Sequence, residues 1–330
     1  MEFGCSSFSW ETTDGLHLLG RTYDQRGSLD NNRILAIPRG YPLSFMPGEP
    51  ASVPGKFAFA GMAAMDFGEP VFTDGVNEQG VAMALLNFPG CADYPHLPDR
   101  QAIYPGFLVG HLRGQCRSEE EALAALDRFC LTDPQQLGNP MSVHFILTDL
   151  TGETVILESG PDGPHIRRNT IGVLTNSPDY LWQLTNLRNY SGITDHPRTS
   201  QRIVNHTISE FGAHAGVGTH LPGGYSSPAR FVRMAFMKQY APRATGEADG
   251  ITRMFRCFAP VDTPPGLMDD PENPFQTLCT TVMCLESQTY YFSPATDRRI
   301  SAIRLRQLLE LDAPRCFEIP QTQDISYLNT

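Results

Sequence analysis

A chain of 330 residues with 41% hydrophobic and 10% aromatic side chains can bury a sizeable core, which excludes an intrinsically disordered protein. Its 36 acidic against 25 basic residues leave a net charge of −11, the wrong sign for a phosphate backbone, so nucleic acid is not an expected partner. The longest apolar runs, Ala58–Ala64 and Val81–Leu86, fall far short of the roughly 20 residues that cross a bilayer, and MEFGCSSFSWETTDG lacks the basic and apolar segments of a secretory signal. The expectation is a cytoplasmic protein with no membrane partner.

The 29 glycines and 27 prolines exceed the usual ~12% and favour short elements joined by many turns. Alternating apolar runs predict strands at Ser6–Trp10, Leu16–Thr22, Arg33–Ile37, Lys56–Met62 and Val81–Phe88. Ser118-Glu119-Glu120-Glu121 reads as a capping box, and the helix it opens places Ala122, Leu123, Leu126 and Phe129 on one face. A hairpin follows, Val143–Thr148 and Thr154–Glu158 around Asp149-Leu150-Thr151-Gly152. A further strand at Ile171–Thr175 stops at Ser177-Pro178, where the chain must turn. The second half opens with a helix near Tyr180–Tyr190, then a Gly/Pro/His-rich stretch over Ser191–Pro222. Beyond Ser227-Pro228 the pattern is helical again, with Phe231, Met234, Ala235 and Met237 on one face. Strands at Thr280–Leu285 and Thr289–Ser293 complete the pattern. Early and late strands with helices between them predict an α+β layered fold, read as one domain, rather than a βαβ series.

The eight cysteines, at positions 5, 91, 116, 130, 257, 279, 284 and 316, form no CxxC, which points to reduced thiols rather than a disulfide framework. No HExxH occurs, and His214 and His220 fall in the Gly-rich stretch, so no metal site is expected. Cys279 and Cys284 alternate with an apolar pattern and read as core. Cys5 is different, because Gly4 precedes it. If the bond after Gly4 were cut, Cys5 would carry a thiol nucleophile and an α-amine whose pKa of about 7.7–8.0 lets it act as base for its own side chain. Such a residue needs a charge that favours the thiolate, a group that holds the amine, and donors for a tetrahedral oxyanion.

Cys5-Ser6-Ser7 followed by Gly20-Arg21-Thr22-Tyr23-Asp24 resembles the opening of the choloylglycine hydrolase family, the bile salt hydrolases and penicillin V acylases. The resemblance continues through Asp74-Gly75-Val76-Asn77-Glu78-Gln79-Gly80, Leu86-Asn87-Phe88-Pro89-Gly90, Gly172-Val173-Leu174-Thr175-Asn176-Ser177-Pro178 and Ser227-Pro228-Ala229-Arg230-Phe231. It implies an N-terminal-nucleophile hydrolase, an α+β fold of two antiparallel sheets between helical layers. Residues 1–4 would be a leader removed to expose Cys5, and residues 5–330 the hydrolase domain.

The resemblance also implies roles. Cys5 matches the nucleophile, Arg21 the cation that lowers its pKa, and Asp24 the carboxylate that holds the α-amine. Asn87 and Asn176 match oxyanion donors, each worth about 3–4 kcal/mol in the transition state, and Arg230 an arginine completing the polar site. Tyr23, Phe67, Phe88 and Leu137 are candidate walls of an apolar substrate pocket. No metal or organic cofactor is implied. The stretch 191–222 resembles a loop exchanged between subunits, implying a homotetramer.

The implied reaction is hydrolysis of the amide of glycine- or taurine-conjugated bile acids. Asn87 favours that substrate, whereas the leader, Cys5-Ser6-Ser7 and the stretch from Arg168 to Tyr190 look more like penicillin V acylases. Alternatives are therefore penicillin V or another small N-acyl amide, or transfer of the bile-acyl group to an amine. A non-catalytic binding protein with its leader uncut is the remaining reading.

Overall fold

The computed structural model describes residues 4–50, 53–133, 141–196, 200–208, 220–267 and 272–329, and every structural statement below concerns these residues. The chain enters through β1 (Gly4–Glu11) and β2 (His17–Arg26), an antiparallel hairpin. It then builds a second sheet from β3 (Asn32–Ile37), β4 (Phe59–Asp66), β5 (Glu69–Phe72), β6 (Asp74–Asn77) and β7 (Ala82–Asn87). Helices α1 (Pro105–Gln115) and α2 (Glu119–Leu126) cover that sheet. Strands β8 (Val143–Thr148), β9 (Thr154–Gly160) and β10 (Gly163–Arg167) extend it, and β11 (Val173–Leu174) returns to the first sheet. Helices α3 (Tyr180–Leu187), α4 (Ser227–Tyr240) and α5 (Glu247–Phe258) follow. Strands β12 (Phe275–Cys284), β13 (Thr289–Pro294) and β14 (Ser301–Arg304) complete the first sheet, and β15 (Arg315–Phe317) the second.

The first sheet runs β11-β1-β2-β12-β13-β14, the second β10-β9-β8-β7-β6-β4-β3-β15, with β5 paired to β4. Every pairing in both is antiparallel. Side-chain alternation with period two decides the layers. In β7, Ala82, Ala84 and Leu86 join the core between the sheets, while Met83 and Leu85 join the core under α1 and α2. In β1, Phe8 packs on Phe258 of α5 at 4.8 Å between ring centroids, whereas Ser9, on the opposite face, meets Thr154 of the second sheet. The result is helix, sheet, sheet, helix, as the resemblance implies.

Each predicted strand forms, with its ends moved by a few residues. The capping box also holds, since Ser118 Oγ accepts from the Glu121 N–H at 3.2 Å. Phe129 departs from the expectation. The helix stops at Leu126, and Phe129–Leu131 forms a short strand parallel to Gln101–Ile103, so Phe129 is core by pairing rather than by helical phase. The helix expected over Tyr180–Tyr190 ends as a 3₁₀ turn at Arg188–Tyr190.

Helices α1 and α5 were not predicted. From Pro105 to Gly114 every α1 residue is buried, so no polar face marks its period. In α5 the stripe Ile251, Met254, Cys257 and Phe258 is readable, but Gly250 and a run of polar residues interrupt it. That stripe explains Gly20 in the Gly20-Arg21 motif. A Cβ there would lie 2.7 Å from Phe258 Cε2, so only glycine lets α5 seat on β2.

Candidate active site

β1 and β2 pair Cys5 with Tyr23 and Ser7 with Arg21, which sets Cys5, Arg21 and Tyr23 on the face turned to the second sheet. The Cys5 thiol is 2% exposed, and Arg21 Nη2 donates to its Sγ at 2.8 Å. Burial raises the thiol above its ordinary value, while Arg21 is the strongest charge pulling it down, with Arg230 adding to it and Asp24 opposing. The guanidinium is fixed on every side. Its Nη1 donates to the Thr73 carbonyl at 3.0 Å, its Nε lies 3.9 Å from Asp74 Oδ2, and its plane covers the Tyr23 ring at 4.8 Å.

Asp74 opens the Asp74–Gly80 motif, and no local sequence signal marks its task. Its carboxylate is fully buried and accepts from Tyr290 at 2.7 Å and Thr281 at 2.8 Å, besides facing Arg21. The motif around it is shaped by another buried arginine. Gly75 has φ +145°, and a Cβ there would fall 1.7 Å from Arg113 Nη1. Arg113 in turn packs over the Phe59 and Phe72 rings at 4.8 and 5.0 Å and donates to the Ala60 carbonyl. The stretch from Asp74 to Gly80 therefore aims a carboxylate at Arg21 and closes the turn into β7, where Asn77 Oδ1 accepts from the Val81 N–H.

On the other side of Cys5, Asn176 Oδ1 accepts from the Cys5 N–H at 2.9 Å and from Arg230 Nη2 at 2.6 Å. Asn176 Nδ2 donates to the Asn87 carbonyl at 2.7 Å, and its backbone N–H to Ser227 Oγ at 2.9 Å. One Nδ2 hydrogen is thus used within the protein, and the second has no partner among the described residues. The Ser227 hydroxyl also donates to the Asn176 carbonyl at 2.8 Å and so fixes the Asn176 main chain from both sides.

Arg230, in the first turn of α4, donates to the Cys5 carbonyl at 2.5 Å and to Ser6 Oγ at 2.8 Å. It holds the Cys5 backbone and does not line the cavity described below.

Asp24 is fully buried, and the register slip in β12 between Thr277 and Cys279 brings Thr277 Oγ1 to its Oδ1 at 2.7 Å. Its Oδ2 has no hydrogen-bond partner, and a Cβ at Gly4 would lie 3.3 Å from it. Burial drives this carboxyl up to about 6, with Arg230 and Thr277 working against the rise.

A cavity of about 470 Å³ opens from Cys5 and Arg21. Tyr23, Phe67, Leu85, Asn87, Tyr104 and Val143 are among the residues that line it. The Tyr23 hydroxyl donates to Gln25 at 3.0 Å, and burial pushes its pKa up to about 12. Phe67 is 45% exposed, with φ +57°, and stands edge-on to Tyr104 at 5.7 Å.

Phe88 corrects the expectation. Its ring is 2% exposed, stacks on His144 at 4.2 Å and does not reach the cavity, because the residue after Asn87 turns to the opposite face. Leu137 lies outside the described residues, as does part of the 191–222 stretch. The other five expected catalytic positions gather around Cys5: Arg21 and Asn87 line its cavity, Asn176 and Arg230 bond its backbone, and Asp24 is a neighbouring charge.

The chain is 28% identical to bile salt hydrolase/transferase of Clostridium perfringens, covering 98% of this chain and 100% of that protein. The protein of the same description from Lactiplantibacillus plantarum is also 28% identical, with 98% of each chain covered. Among solved structures, a mutant of conjugated bile acid hydrolase from Clostridium perfringens superposes with a TM-score of 0.88 at 27% identity, covering 98% of this chain and 100% of that one. Penicillin V acylase from Agrobacterium tumefaciens shares the fold, with a TM-score of 0.76 at 21% identity over 94% and 90% of the two chains. The profile of the linear amide C–N hydrolases, choloylglycine hydrolase family, matches residues 5–317, and the chain belongs to that family.

Proposed function

We propose that this protein hydrolyses the amide bond of glycine- or taurine-conjugated bile acids, with Cys5 as an N-terminal nucleophile exposed by cleavage of the Gly4–Cys5 bond. The observation that carries the reading is Cys5 Sγ, held 2.8 Å from Arg21 at the inner end of a cavity of about 470 Å³. A four-ring acyl group makes use of such a volume, whereas a phenoxyacetyl group leaves most of it empty. The names of the relatives point the same way.

The orphaned Asp24 Oδ2 supports the cleavage. A buried carboxylate oxygen without a hydrogen bond is costly, and an α-ammonium created at Cys5 would supply a donor and a positive charge to it. The Cys5 thiolate, stabilised by Arg21, attacks the amide carbon. Asn87 and the remaining Asn176 Nδ2 hydrogen donate to the oxyanion. The α-amine takes the Cys5 thiol proton and, as the ammonium, passes it to the leaving nitrogen; neutral again, it deprotonates the water that releases the acyl group from sulfur. Arg230 acts as a positioning residue for the Cys5 main chain. An amine in place of water at the last step gives acyl transfer by the same thioester. The 191–222 stretch is the proposed contact of a homotetramer.

The test is kcat/KM on purified protein for glycocholate and penicillin V side by side, with intact mass on the same sample. A hundredfold preference for glycocholate, about 2.7 kcal/mol of transition-state binding, supports the reading. Preference for penicillin V overturns the substrate, and a Cys5→Ala variant with full activity overturns the nucleophile.

A further inference from the structure

A second cavity, of about 460 Å³, lies at the other end of β1 from the nucleophile. Ser9, Trp10 and Glu11 form one wall, and a rise of ~3.4 Å per residue puts Ser9 roughly 13 Å along the strand from Cys5. Lys238 and Gln239 from the end of α4, with Thr151 from the β8–β9 turn, face that wall. The lining is polar and shares no residue with the cavity at Cys5.

Lys238 is the group that calls for a ligand. Its ammonium is partly buried and donates to Ser9 Oγ at 3.1 Å, and the same oxygen accepts from Thr154 Oγ1 at 2.7 Å. Ser9 therefore keeps its own hydroxyl hydrogen to donate. The Gly172 backbone closes over the amine, since a Cβ at that glycine would sit 2.3 Å from Nζ. The nearby carboxylates are engaged elsewhere. Glu11 pairs with Arg243 at 3.4 Å, and Glu286 with His17 at 2.7 Å. Burial, then the charge of Arg243, pull the Lys238 pKa down to about 8. A partly buried cation without a counter-ion, beside a hydroxyl free to donate, is a site for an anion.

We propose that this cavity binds a small hydroxylated organic anion, with its carboxylate on Lys238 Nζ and the Ser9 hydroxyl and its own hydroxyls against the polar walls. Binding here leaves the Cys5 cavity unobstructed. The site takes a ligand separate from the amide substrate.

Intrinsic fluorescence tests this. The chain has two tryptophans, Trp10 in the cavity wall and Trp182 exposed on α3. In the Trp182→Phe protein, gluconate titrated against chloride at constant ionic strength gives a saturable change in Trp10 emission. Adding Lys238→Met weakens that binding ~10-fold or more. The proposal is overturned if the response is unchanged by Lys238→Met, if chloride reproduces it, or if no saturable response appears.

Should Lys238→Met fail to fold, the pH dependence of the Trp182→Phe protein decides. The charged groups facing Lys238 are Arg243 and Glu11, with the His17–Glu286 pair beyond them. Affinity must fall as pH rises past about 8, where Lys238 loses its proton, and an affinity constant across that range also overturns the proposal.

Discussion

Replacing Arg21 by Gln tests the electrostatic core of the site. Burial holds the Cys5 thiol above its ordinary 9.0, and Arg21 is the main charge opposing that rise. At 2.8 Å and an effective dielectric of about 20, the contact is worth roughly 6 kcal/mol to the thiolate. The glutamine amide and incoming water recover about half of it, leaving a loss of ~3 kcal/mol to the thiolate. Removing a group that favours the thiolate raises the pKa, so the thiolate fraction at neutral pH falls ~100-fold. The rising limb of kcat/KM moves to higher pH.

The same substitution strips Asp74 of the cation 3.9 Å from its carboxylate, a loss of ~3–5 kcal/mol in stability. Arg21→Gln with Asp74→Asn separates the two effects, because stability recovers while thiol reactivity does not. The assay is the pH dependence of Cys5 alkylation by iodoacetamide, resolved by peptide mass, beside urea denaturation. A double variant whose alkylation limb lies within about half a pH unit of the unsubstituted protein refutes the reasoning.

Asp24 gives a prediction of opposite sign before and after cleavage. Its rise from the ordinary 3.8 to about 6 corresponds to about 3 kcal/mol. A raised carboxyl prefers its protonated form in the folded chain, so its burial costs stability increasingly above pH ~4 and fully above ~6. In a leader-bearing Cys5→Ala protein, Asp24→Asn is therefore stabilising by up to ~3 kcal/mol at pH ~8 in urea denaturation, and the gain vanishes below pH ~4. In cleaved protein with Cys5 intact, the same change destabilises; stabilisation there would remove Asp24 as the partner of the α-amine. Asn176→Ala lowers kcat by ~10²–10³-fold, and a loss expressed only in KM would contradict an oxyanion role. Phe67→Ala raises KM for glycocholate and leaves Tm nearly unchanged. Phe88→Ala instead costs ~3–5 kcal/mol in thermal unfolding, as a 2% exposed stacked ring should; the reverse pattern would reassign the two walls.

Much of the architecture was legible because antiparallel strands with one face on each core carry their own period. Alternation in β7 and β8, the Ser118 cap and the Ser227-Pro228 helix start are local signals, written within a few residues of what they specify. The fully buried α1 and the slip in β12 were not legible. A helix buried all round has no polar face to mark its period, and a bulge is a relation between two strands 250 residues apart.

By itself the sequence singled out the residues proposed to carry chemistry. Cys5, Arg21, Asp24, Asn87, Asn176 and Arg230 each sit in a short motif whose order and spacing survive in one dimension. Only the tertiary structure decided what each one touches. It placed Arg230 behind the Cys5 carbonyl and gave Arg21 its anchor in Asp74. It turned Phe88 into core while leaving Phe67 at the cavity mouth. The physical reason is that motif spacing encodes strand and turn positions, whereas side-chain partners depend on how two sheets stack. At 0% exposure for Arg21 and Asp74, partners chosen across that stack set charge, proton affinity and reach together.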